Sequence, residues 1–238
     1  MIETFAALFF AHVLADFVFQ TGWIAGNKRR PTVLVLHALI VLVLAQAALG
    51  RVDRWELLLL ALAHAATDAV KSRVASGGLA AFLADQAAHV ALIAALAILR
   101  PDLWPGGIWA GVTVLPSLMA LVAGAILTTR AGGFAVGFLM SPWGDVDLPK
   151  GLANGGKLIG LLERGLIFLF VLVGQPAGIG FLIAAKSVLR FETTSKDQRA
   201  GEYVIIGTLA SFAWALTFAY ATKWLMSALP ALPGLPLQ

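Results

Sequence analysis

The chain has 238 residues, 60% of them hydrophobic and 13% charged, with a formal net charge of +4. A mean hydropathy of +0.88 excludes an ordinary soluble domain, which could not cover so much apolar surface in water. The chain has no cysteine, which excludes disulfides, thiolate metal sites and cysteine nucleophiles. No basic patch interleaved with stacking aromatics points to nucleic acid as a partner.

In chain order, apolar stretches predict helices spanning a bilayer at 2–24, 32–49, 55–75, 79–100, 108–130, 157–175, 177–191 and 203–228. The first is read as a span and not as a cleaved leader, because no basic residue precedes Lys28 and the stretch carries His12, Asp16 and Gln20. Short connections rich in Gly, Pro or charge separate the spans. The segment 131–156 is Gly-rich, contains Ser141-Pro142-Trp143, and is expected to be interfacial or re-entrant. The tail from Pro230 reads as a loose end. The predicted fold is all-α: a polytopic transmembrane helical bundle of about eight spans. Residues 1–100 form a four-span unit with a polar core, and 101–238 a four-span supporting or substrate-binding unit.

With the N-terminus outside, twelve Lys and Arg fall on inner connections and four on outer ones, while Arg164 lies within a span. This positive-inside bias places both termini on the periplasmic or exterior side of the membrane.

All four histidines lie in the first four spans, as His12-x3-Asp16, His37, His64-x3-Asp68 and Asp85-x3-His89. A spacing of four sets each pair on one helix face, one turn apart. At about 1.5 Å rise per residue, Asp16, His37, Asp68 and Asp85 all sit roughly 10 Å from the cytoplasmic helix ends. Gln20, Lys71 and Gln86 extend the polar faces.

Ionisable groups at this depth are costly unless paired, protonated or bound to a cation. Imidazole and carboxylate suit zinc, with manganese, iron or magnesium as alternatives. His12, Asp16, His37, His64, Asp68 and His89 are therefore candidate metal ligands, and Asp85 a candidate general base. Four His and three Asp exceed one tetrahedral shell, so more than one ion is open. Of the basic residues, Lys71 and Arg164 are expected to be near enough to compensate the carboxylates. Two other readings compete: a proton or cation path, and interhelical hydrogen-bond glue.

The segments AHVLADFVFQTGWIAGNK, HAATDAVKS and DQAAH resemble a bacterial inner-membrane family known as domain of unknown function 3307. The stretch from Gly156 to Glu192, with EYVIIGTLASFAWAL, also resembles proteins that carry it. The resemblance implies a location but no activity. The HxxxD pairs are similar to those of membrane-bound metal-dependent hydrolases and of the zinc phospholipase C and P1-nuclease group. That likeness implies that His12, Asp16, His64 and Asp68 bind metal, with His37 beside them; Asp85-x3-His89 reverses the order.

In the second half, Lys157, Arg164, Lys186 and Arg190 are predicted on the same membrane side as the cluster, where with Lys71 they would hold a phosphate headgroup. The favoured function is a metal-dependent hydrolase or transferase on a phosphate-containing lipid at the cytoplasmic leaflet. The alternative is an ion- or proton-coupled transporter or channel. The sequence leaves open whether the chain works as a homo-oligomer.

Overall fold

The computed structural model describes residues 1–74, 77–146, 152–194 and 198–234. The described residues are helical, without a strand. They divide into two compact units, Met1–Ala123 with Ala228–Leu232, and Gly124–Ser227 with Pro233–Gln238.

In the first unit, α1 (Ile2–Leu14) runs into a π-helical turn, Ala15–Phe19, that ends where Gln20 turns extended. Thr21 then caps a short α2 (Gly22–Asn27) by accepting from the Ile24 N–H. The span expected over 2–24 is therefore two helices with a break at Gln20. Pro31 opens α3 (Pro31–Leu49), where its missing N–H costs nothing, and Gly50 closes it with φ 63°, the left-handed conformation open to glycine. α4 (Trp55–Val74) and α5 (Leu79–Leu99) follow.

α1 packs on α3 and α5, and α4 packs on α3 and α5, so the four long helices close a ring. At one end Ala7, Ala11, Ala45 and Ala48 let the helices approach closely around Leu8 and Leu57. The same end is tied by Thr4, which donates to the Pro101 carbonyl and accepts from the Trp104 N–H. Trp109 donates to the Ala47 carbonyl there. At the other end lie α2 and the turn into α5, and the ring is filled by polar side chains.

The fifth predicted span starts late and ends late. Residues 108–114 are not helical, and α6 (Leu115–Ile126) continues through a π-helical turn (Leu127–Ala131) into α7 (Gly132–Met140) and a final turn at Ser141–Trp143. The segment from 131, expected to be interfacial or re-entrant, is helical to Met140 and continues α6. Its part at 147–151 lies outside the described residues.

In the second unit, α8 (Gly155–Leu172) packs on α9 (Ala177–Thr194) and α10 (Gln198–Ser227). A π turn shifts the regular ladder of backbone bonds, and two carbonyls of the Leu127–Ala131 turn accept side-chain donors in addition to backbone N–H groups. Trp214 Nε1 donates to Leu127 O at 2.9 Å, and Arg164 Nε to Thr129 O at 3.0 Å. Gly132 makes this possible, since a Cβ there would meet both Trp214 and Arg164.

Among the described residues, five stretches are long and apolar enough to cross a membrane: Ile2–Phe19, Pro31–Leu49, Leu79–Leu99, Leu115–Trp143 and Gln198–Ser227. α4 and α8 have the length but carry charges within it, Glu56, Asp68, Lys71 and Arg73 in one and Lys157, Glu163 and Arg164 in the other. α9 is apolar only over Ala177–Val188.

Candidate metal centre

Every His and Asp singled out in the first four spans points into the ring. His37 is fully buried, His89 and Asp68 are 1% exposed, and His12, Asp16, His64 and Asp85 are buried with them. The i, i+4 spacing does what it predicts within each helix, and the ring brings the four helix faces together.

At the centre, Asp16 Oδ1, His37 Nε2 and His64 Nε2 form a near-equilateral triangle with sides of 3.1, 3.2 and 3.3 Å. Zinc holds imidazole nitrogen and carboxylate oxygen at about 2.0–2.1 Å, so one face of its ligand tetrahedron has sides of about 3.3 Å. The three atoms therefore fit a single ion without rearrangement. Asp68 Oδ2 lies 3.5 Å from both imidazole nitrogens, the nearest fourth donor. The π turn that carries Asp16 is the local distortion that sets its carboxylate at this point, a common use of such turns.

Further polar contacts surround the triangle. Gln86 donates to Asp16 Oδ2 at 3.2 Å and to Asp85 Oδ2 at 3.3 Å, which leaves its Oε1 to accept from His12 Nε2 at 3.3 Å. His12 is thereby fixed with its proton on Nε2 and its Nδ1 lone pair free, 4.0 Å from Asp16 Oδ2. His12 stands beside the triangle, and one of its ring nitrogens lies within 4.8 Å of ligand atoms of Asp16 and His64, a further trio that could hold an ion. Lys71 donates to Asp85 Oδ2 at 2.6 Å, and Lys28 to Asp68 Oδ2 at 2.7 Å.

Lys28 is the residue that sequence reasoning missed. The cations compensating the carboxylates were expected to be Lys71 and Arg164; the one found on Asp68 is Lys28. The break at Gln20 and the turn of α2 carry Lys28 back onto α4, where Arg29 also donates to the Ser72 carbonyl. Arg164 belongs to the second unit, where its Nη1 donates to Ser211 Oγ at 3.0 Å and its Nε to Thr129 O. Lys186 is paired with Glu163 at 2.6 Å, so the adjacent Glu163 and Arg164 do take different partners. Lys157 is exposed, and Arg190 lies outside the residues whose side chains are described.

Several buried polar atoms of this cluster have no hydrogen-bond partner: His12 Nδ1, His37 Nδ1, Asp68 Oδ1, Asp85 Oδ1 and His89 Nε2. Such atoms are rare in a folded interior and call for a ligand or a proton.

Residues 4–103 match a family model described as a protein of unknown function, DUF3307. The matched stretch falls on the four-helix unit. All seven His and Asp residues of the cluster, with Lys28, Lys71 and Gln86, fall inside the matched stretch. Neither a curated protein nor a solved structure matches it.

Proposed function

We propose that the DUF3307 unit holds a divalent metal ion within the membrane and uses it for hydrolysis or transfer at a phosphate ester of a lipid or related amphiphile. The observation that carries this reading is the Asp16–His37–His64 triangle, whose sides match the ligand spacing of zinc. Charge supports the choice of substrate. Three buried carboxylates face two ammonium groups, Lys28 and Lys71, which leaves one negative charge; a dication bound by neutral imidazoles turns this into one positive charge. A phosphodiester anion complements it. Lys71, whose side chain is 38% exposed, lies at the rim where such an anion arrives. In hydrolysis a water oxygen bonds to phosphorus, the ester P–O bond breaks, and one water proton goes to the leaving oxygen. An ion held by Asp16, His37 and His64 would supply stabilisation of the charge that develops.

In this reading the chain crosses a bacterial inner membrane about eight times, with α4 and α8 as spans in which Asp68 and Lys71 pair with Lys28 and Asp85, and Glu163 with Lys186. Both termini lie outside, and the cluster opens toward the cytoplasmic leaflet. The basic groups of the second unit have a smaller part than the sequence suggested, because Arg164 and Lys186 are engaged by Thr129, Ser211 and Glu163. Of the paired lysines Lys71 is the most exposed, and headgroup recognition falls first to it.

The second reading is a proton- or cation-coupled transporter. One observation favours it: the lysine pairs on Asp68 and Asp85 lower the cost of those carboxylates without any metal. Elemental analysis of protein purified without added metal separates the two. The metalloenzyme reading expects near-stoichiometric zinc, manganese or iron, lost together with phosphoesterase activity on mixed phospholipid vesicles in His64→Gln. A metal-free preparation whose native activity is complete in chelator sinks it and promotes the transporter.

A further inference from the structure

We infer that the cluster holds a second divalent ion, on Asp68, Asp85 and His89, with Asp68 as the carboxylate shared between the two. This rests on the first ion proposed above and adds a site to it.

Each of the three donors is prepared for a cation. His89 Nδ1 lies 2.8 Å from the Asp85 backbone carbonyl, which can only accept, so the proton sits on Nδ1 and Nε2 presents a lone pair. That arrangement, one ring nitrogen donating to a carbonyl, is how proteins orient a histidine ligand. Nε2 is buried and has no partner. Asp68 and Asp85 show the same division of labour between their oxygens. Each gives Oδ2 to a lysine, Lys28 or Lys71, and each keeps a buried Oδ1 without a partner. One ligand atom from each of Asp68, Asp85 and His89 lies within 4.8 Å of the others.

Asp68 links this trio to the first site. Its Oδ2 is the atom 3.5 Å from His37 Nε2 and His64 Nε2, so a carboxylate touching both groups uses one oxygen toward each. Bridged in this way, the first ion is surrounded by protein: Asp16, His37, His64 and Asp68. The second has three protein ligands and a position left for water, the pattern of a catalytic rather than a structural ion. Two ions held about 3.5–4 Å apart are the arrangement that clamps both oxygens of an in-line phosphoryl displacement. Asp85 is then a ligand and not a free general base. The second ion adds two positive charges to a site already positive with the first, so its occupancy rises when inorganic phosphate is present.

The test loads the full chain in detergent with zinc, removes the excess, and counts ions per chain by mass spectrometry, with and without inorganic phosphate. Two ions are expected in the wild type with phosphate, and one in His89→Gln and Asp85→Asn. A wild type that saturates at one ion, with His89→Gln unchanged, overturns the second site and leaves the first standing; no bound ion overturns both. A measurement on the wild type alone guards against variants that fail to fold. Loaded with manganese, the protein should give an exchange-coupled two-ion paramagnetic resonance spectrum. The spectrum of isolated manganese at full loading counts against the shared carboxylate.

Discussion

His37 and His64, on neighbouring helices, face each other with their Nε2 atoms 3.2 Å apart, and Asp16 Oδ1 is within 3.3 Å of both. Two neutral imidazoles can share one proton along that contact. In the proposed metal centre both lone pairs would instead reach one ion, at a contact that α3 and α4 build between them.

Binding at this pair couples metal to stability. An ion that binds only the folded state at about a hundred times its dissociation constant contributes roughly 2.7 kcal/mol. Chelator should therefore lower the melting temperature of the wild type in detergent, and zinc should restore it. His37→Ala should melt at one temperature whether chelator or zinc is present. A wild type indifferent to chelator would speak against a resident ion.

Gln86 joins three groups that no other side chain joins among the described contacts, namely His12, Asp16 and Asp85. Gln86→Leu keeps the size but leaves buried polar atoms unpaired, at a cost of about 1–3 kcal/mol. Gln86→Glu adds a fourth carboxylate, so it should be worse than Leu in chelator and better than Leu in zinc. The midpoints of thermal unfolding in the two conditions decide this, and an unchanged order of the variants would count against the charge argument.

How much of this could be read beforehand differs between residues. The His/Asp pairs were legible because a spacing of four has only one meaning on a helix, and their shared depth followed from counting residues to the helix ends. The all-helical class followed from apolar length alone. Lys28 was not legible, since it lies 40 residues from Asp68 and its approach depends on the break at Gln20. The one hint was Thr21 before Gly22, a capping residue in the middle of an apolar run. The late start of α6 was hidden by the apolar character of residues 108–114, which pack as a loop over the end of α3 through Trp109. The helix through 131–140 was hidden by the glycine content of that segment, where Gly132 is present to admit Trp214 and Arg164.

Lys28 should matter in a way that depends on metal. Its side chain is 11% exposed and its partner Asp68 1%, so removing the ammonium leaves a buried carboxylate uncompensated. Breaking a buried pair from one side costs about 3–5 kcal/mol. Lys28→Met should lose most of that stability in chelator and recover much of it in zinc, because the ion then has Asp68 without a competitor. Its apparent zinc affinity should rise. Equal destabilisation in both conditions would mean that Lys28 serves packing and not charge.

Orientation is testable from the two ends of the first unit. Gly26 and Gly77 lie at the end with Lys28 and Lys71, are exposed, and have no atoms within 4 Å of an added Cβ. Val52 is 81% exposed, and Gly111 is exposed with open space beside it; both lie at the opposite end, with Thr4 and Pro101. The absence of native cysteine makes single replacements clean reporters. Lys28, Arg29, Arg30, Lys71 and Arg73 crowd the first end, while Arg51, Arg54 and Arg100 mark the second next to Asp53 and Asp102. The positive-inside bias therefore puts Gly26 and Gly77 in the cytoplasm. In intact cells an impermeant thiol reagent should label Val52→Cys and Gly111→Cys and spare Gly26→Cys and Gly77→Cys. Permeabilised cells should show labelling at all four positions. The reverse pattern in intact cells would turn the unit over, and the metal cluster, which lies nearer the Lys28 end, would then serve the outer leaflet.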